Sequence, residues 1–113
     1  MNILCLGDGV GEVGRQIVDD QLSFIKEKYK IDFTIVNGEN SAHGKGITTK
    51  IYKNFKNIGV DVVTLGNHAF SKSEIKLSIN ECKDLVRPAN IEPLNVGNSV
   101  IVKQCKNKTI AII

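Results

Sequence analysis

The sequence predicts an α/β fold, a mostly parallel sheet with flanking helices that ends in a C-terminal β-hairpin. Three observations carry this expectation. Short apolar runs at 3–6, 33–36 and 62–65 each stop abruptly at glycine and polar residues, the pattern of a parallel strand buried on both faces. The segments between them place apolar residues at helical spacing. After residue 98 the pattern changes to two strands about a Lys-Asn-Lys turn.

The first strand is expected over 2–6. Gly7-Asp8-Gly9-Val10-Gly11 then makes a tight loop, in which glycine lets backbone approach a ligand closely. A helix over 13–29 would bury Ile17, Val18, Leu22, Ile25 and Tyr29 and carry Asp19, Asp20, Lys26 and Lys28 on its other face. The second strand, 32–36, runs into 37–46, too rich in Gly, Asn and Ser for regular structure and placed where function commonly sits. A second helix over 48–58 has a buried stripe of Ile47, Ile51, Phe55 and Ile58, with Thr48 or Thr49 as its cap and Gly59 as its stop. Strand three follows over 60–65. Ser71-Lys72-Ser73-Glu74 has capping-box form, so a third helix should start there and bury Ile75, Ile79 and Cys82. Leu85-Val86 is a short fourth strand ended by Arg87-Pro88, and 90–97 is a loop. Residues 99–104 and 109–113 form the hairpin, either a sheet edge or the start of a second layer. The β-α-β-α-β-α-β order predicts parallel pairing with right-handed crossovers.

At 113 residues, 42% apolar and 24% charged, the chain is expected to be one globular domain. No apolar run is long enough to span a membrane. Met1-Asn2 runs straight into a strand and leaves no room for a signal peptide. The net charge of +3 is too small, and the lysines too scattered, to argue for nucleic acid. Cys5, Cys82 and Cys105 are odd in number and lack CxxC spacing, so they read as small buried hydrophobes of a cytoplasmic protein. The chain stops within an apolar strand at Ile113, so 1–113 is expected to be the N-terminal part of a longer domain.

Three successive strands each close on glycine plus polar side chains. Parallel strands bring such ends to one rim, outside their carboxyl ends, where α/β sheets bind ligands. The rim would carry Asp8, Glu39, Asn40, Asn67 and His68. Taken singly, Asp8 is a turn former or helix cap, Asn67 a turn residue and His68 a structural imidazole. Glu39 is the exception, because glutamate is a poor turn residue. As a set, the oxygens suit Mg, Mn or Fe, and a carboxylate can bridge two ions. Two such ions activate water and polarise a phosphoryl group, and a histidine can protonate the leaving oxygen. The reaction class is phosphoester hydrolysis. His43 and Lys45 in the same loop could meet a phosphate, but no Walker spacing is present. Gly9-Val10-Gly11-Glu12-Val13-Gly14 also fits GxGxxG, the mark of a Rossmann-like nucleotide binder, with Glu39 as its acid. That reading puts the Asp8 carboxylate beside a pyrophosphate and leaves Gly66-Asn67-His68 without a role.

Gly7-Asp8-Gly9-Val10-Gly11 with Gly14-Arg15, the stretch from Asn37-Gly38-Glu39-Asn40 through Ser41-Ala42-His43-Gly44-Lys45-Gly46, Gly66-Asn67-His68 and Arg87-Pro88-Ala89-Asn90 resemble the YmdB-type metallophosphoesterases of the calcineurin-like superfamily. The resemblance implies the N-terminal half of a two-sheet metallophosphoesterase sandwich. It also implies a centre of two divalent or trivalent ions, iron or manganese, and phosphodiesterase activity on 2′,3′-cyclic nucleotides. Carried over by position, Asp8, Glu39, Asn40 and Asn67 match metal ligands, with Glu39 bridging, and His68 matches the proton donor. There are two departures. Ala69-Phe70-Ser71 stands where the family has an aromatic and an acid, and the family's three further metal-binding histidines are missing from a chain with two histidines in all. The expectation is therefore weak or single metal binding and little hydrolysis by this chain alone. Association with the missing half or with another copy would cover an apolar face. The alternative is a non-catalytic remnant that binds a partner.

Overall fold

Alternation along the central strands sends apolar side chains to both faces of the sheet, and each face has its own cover. The computed structural model describes residues 1–113. Four strands, β1 (Ile3–Leu6), β2 (Phe33–Asn37), β3 (Val62–Thr64) and β4 (Leu85–Val86), lie in the order β1-β2-β3-β4. All three pairings are parallel, with Leu6 opposite Val36, Asn37 opposite Thr64, and Thr64 opposite Val86. The helices are α1 (Gly11–Lys28), α2 (Thr49–Asn57) and the single turn α3 (Ile75–Ser78), which continues as a 3-10 turn over Ile79–Glu81. The strands β5 (Ile101–Cys105) and β6 (Lys108–Ile112) pair antiparallel as a separate two-stranded sheet.

The larger core lies on the helix side. It joins Leu22 of α1, Tyr52 and Phe55 of α2, and Ile75, Ile79 and Cys82 to Val36, Val63 and Leu85 of the sheet. Burying a side chain as completely as Leu85 contributes about 2 kcal/mol. On the opposite face Phe33, Val62 and Val86 pack against Ile101 and Ile112 of the hairpin. The hairpin is thus the start of a second layer and not a sheet edge. Two ion pairs fasten it: Lys103 to Asp84, and Lys106 to Asp32 at 2.6 Å.

Several expectations are corrected. Helix α1 begins two residues early, and of its expected buried face only Leu22 is fully enclosed, while Ile17 and Tyr29 are exposed. The core that the hairpin covers includes no β1 side chain, and Cys5 is exposed, not a core residue. The capping box is not formed: the helical turn starts at Ile75, and Glu74 makes no capping hydrogen bond. Thr48 does cap α2, its hydroxyl accepting from the Ile51 amide at 3.2 Å.

Candidate active site

Four parallel strands place the loops after Leu6, Asn37, Thr64 and Val86 along one rim. In the first loop Asp8 adopts φ 55°, a left-handed conformation that aspartate tolerates better than most residues. The loop folds back onto the first turn of α1 at Gly14, where a Cβ would stand 2.7 Å from the carbonyl carbon of Gly9. Gly11 then donates its amide to the Asn40 carbonyl at 2.9 Å, and the Arg15 guanidinium donates to the Ser41 carbonyl. These two bonds dock the first loop onto the second.

The second loop closes on itself. The Glu39 amide donates to Asn37 Oδ1 at 3.1 Å, an Asx turn that ends β2. Ser41 is buried, and its hydroxyl donates to the Gly38 carbonyl at 2.6 Å. Ala42 donates to the Gly46 carbonyl at 2.9 Å, and Gly46 donates to the Glu39 carbonyl. His43, Gly44 and Gly46 all take positive φ. Glu39 and Asn40 therefore leave β2 on a braced turn.

The third loop meets this turn at Glu39. A Cβ built on Gly66 would lie 2.5 Å from the Glu39 carboxyl carbon and 2.6 Å from its Oε1, so the carboxylate occupies the space that only glycine leaves. The His68 amide donates to Glu39 Oε2 at 3.3 Å. Of the residues singled out from the sequence, Glu39 and His68 are tied together by this bond, and Asn40, next in the chain to Glu39, is held through its carbonyl by the Gly11 amide. Asp8 and Asn67 are exposed on the same rim, and no hydrogen bond holds their side chains.

The two ends of the sheet use their acids differently. At the amino end Asp32 and Asp84 form the chain's ion pairs, and Asp61 Oδ2 accepts the Thr34 amide at 2.7 Å. The hydrogen bond from Lys106 holds the Asp32 carboxyl below the ordinary aspartate range. Burial alone would push Asp84 up, but hydrogen bonds from Lys103 and Lys56 outweigh it and hold it down. At the carboxyl end neither Asp8 nor Glu39 enters an ion pair. The rim's donor set is two carboxylates and two amides, hard oxygens that fit Mg, Mn or Fe. No three His, Cys, Asp or Glu side chains gather in one place, so the set holds few anionic ligands for two ions.

Beside the rim, Arg15, Lys50, Lys53 and Lys72 line one cleft of about 1010 Å³ with His43. Read along the chain these cations look scattered. The i,i+3 spacing of Lys50 and Lys53 signals a shared helix face, but nothing local brings Arg15 or Lys72 to it.

The family model described as "YmdB-like protein" matches residues 4–113. The 2′,3′-cyclic-nucleotide 2′-phosphodiesterase of Bacillus subtilis is 44% identical over all 113 residues, which cover 43% of its length. The crystal structure of a hypothetical protein from Thermus thermophilus superposes with a TM-score of 0.86 at 34% identity, covering 98% of this chain and 43% of that one. A structure described as a novel phosphatase from Mycoplasma pneumoniae superposes at 0.87 with 38% identity, covering 96% and 40%. The chain thus spans about two fifths of the length of these proteins. With its four-stranded sheet, its Asp8, Glu39 and His68 loops and a family match over almost every residue, this chain belongs to the YmdB-like protein family.

Proposed function

We propose that residues 1–113 form the oxygen-ligand part of a cytoplasmic, metal-dependent phosphodiesterase acting on 2′,3′-cyclic nucleotides. One observation carries the reading: the Glu39 carboxylate, outside any ion pair, is seated on Gly66 between the second and third rim loops. In this reading Asp8, Glu39, Asn40 and Asn67 would hold two iron or manganese ions, with Glu39 as the carboxylate ligand that both ions could share. When bound, the ions neutralise charge at the phosphoryl group and lower the pKa of water. His68 gives a proton to the leaving 2′-oxygen. Its backbone bond to Glu39 keeps donor and carboxylate in register. The two amides add donors without adding negative charge, so they do not repel a phosphodiester. The nitrogen ligands come from the remainder of the domain or from another copy. The exposed hydrophobics Ile3 and Val102, on β1 and β5, suit such an association.

The test is metal content of the purified chain together with its intact mass, followed by hydrolysis of a 2′,3′-cyclic nucleotide. Fewer than two ions per chain and little turnover are expected at a mass of 113 residues. Glu39→Gln should remove the metal that remains, and His68→Ala should leave metal content unchanged. Full metal content in Glu39→Gln overturns the site, and robust turnover by the 113-residue chain overturns its incompleteness.

A further inference from the structure

The basic cleft beside the rim has no part in phosphoester cleavage as described above. Four cations line it, Arg15, Lys50, Lys53 and Lys72, against one acid, Glu74, and none of the four enters an ion pair. Its rim end is fixed. Arg15 is held by the Ser41 carbonyl, and Lys72 packs where a Cβ on Gly46 would meet its amide nitrogen and Cγ at 3.1 Å. The same Gly46 position lies 3.3 Å from the His68 carbonyl oxygen, so the mouth of the cleft adjoins the loop of His68. From there the cleft runs along α2 past Lys50 and Lys53. Its volume is at the upper limit of a small-ligand pocket, and only two of its twelve lining residues are hydrophobic.

We propose that this cleft binds the backbone of single-stranded RNA and delivers a 2′,3′-cyclic phosphate at its 3′ end to the rim; this rests on the cyclic-nucleotide reading above. A mononucleotide carries its one phosphate into the rim and leaves the cations of the cleft without a partner. An oligoribonucleotide with a cyclic end carries a further phosphate at each nucleotide upstream. The reaction that supplies it is cleavage of RNA by attack of a 2′-hydroxyl on the adjacent phosphodiester, which breaks the P–O5′ bond and releases the next nucleotide with a 5′-hydroxyl. No Phe, Tyr or Trp lines the cleft, and His43 is its one ring, so it follows the backbone with little reading of bases. The low net charge of the chain does not oppose this, because the four cations are concentrated on one surface.

The experiment is fluorescence anisotropy of the 113-residue chain with a labelled oligoribonucleotide of about ten nucleotides, a usual site size for such a groove. Four phosphate contacts give a log–log salt slope of about −3, at about −0.7 per contact. Lys50→Gln with Lys53→Gln should weaken binding at low salt tenfold or more and flatten the slope by about 1.4. Lys108→Gln, on the hairpin, should change neither, and circular dichroism checks that each variant is folded. Absence of binding at low salt, an unchanged slope in the double variant, or equal competition by an acidic peptide of the same charge overturns the proposal. Full metal content in Glu39→Gln, with these slopes intact, counts against the cyclic-nucleotide reading alone.

Discussion

The carboxylate of Glu39 rests on the backbone of Gly66, in the loop after the neighbouring strand, and accepts the amide proton of His68 at 3.3 Å. A side chain from one rim loop thus fills the space left by a missing side chain in the next.

Gly66→Ala tests this contact. The new methyl would lie 2.5 Å from the carboxyl carbon, but what it meets is the free end of a flexible side chain, and Gly66 is not at positive φ. Glu39 should swing away at little cost to folding. The expected result is a thermal midpoint within a few degrees of wild type, with metal affinity reduced at least tenfold by isothermal titration calorimetry.

Arg87 is 4% exposed, and its guanidinium donates only to carbonyls: Val96 at 3.0 Å, Pro88 at 2.8 Å, and Leu94. It holds the loop that leads from β4 to the hairpin. Arg87→Met would keep much of the volume and strand these acceptors. A loss of about 3 kcal/mol is expected from urea unfolding. Arg87→Lys should recover less than half of it, because an ammonium cannot span three divergent carbonyls.

Asp84 bridges α2 and the hairpin through Lys56, at 2.8 Å, and Lys103. Its carboxyl is held below the ordinary aspartate value in the folded chain. The resulting stability is present above the unfolded pKa, about 4, and is lost as pH falls through the folded value. The thermal midpoint should therefore drop below about pH 4. Asp84→Asn should be less stable at pH 7, by about 1–2 kcal/mol, and its midpoint should depend less on pH in that window.

Thr34 is fully buried in β2, and its hydroxyl has no hydrogen-bond partner. Valine matches its shape without the stranded hydroxyl and suits a strand at least as well. Thr34→Val is expected to stabilise the chain by about 1 kcal/mol, read as a raised urea midpoint at unchanged slope.

The elements and the site motifs were legible in the chain because their signals are local. Apolar runs that end in glycine marked β1 to β3, helical spacing marked α1 and α2, and Lys-Asn-Lys marked the hairpin turn. Parallel pairing then followed from element order, and it carries Asp8, Glu39 and Asn67 to one end of the sheet. Periodicity says which residues share a face but not what covers it. The positions of α1 and the hairpin, set by long-range packing, decided that Leu22 is enclosed while Ile17, Tyr29 and Cys5 are exposed. The capping-box letters at Ser71 lost to the packing of Ile75 and Ile79, which starts the helical turn later. Tertiary structure alone also seated Glu39 on Gly66, buried Arg87 among carbonyls and gathered Arg15, Lys50, Lys53 and Lys72 around one cleft. The Glu39–Gly66 contact and the cleft join residues far apart in sequence, and Arg87 reaches carbonyls across an irregular loop, so no local propensity or spacing encodes them.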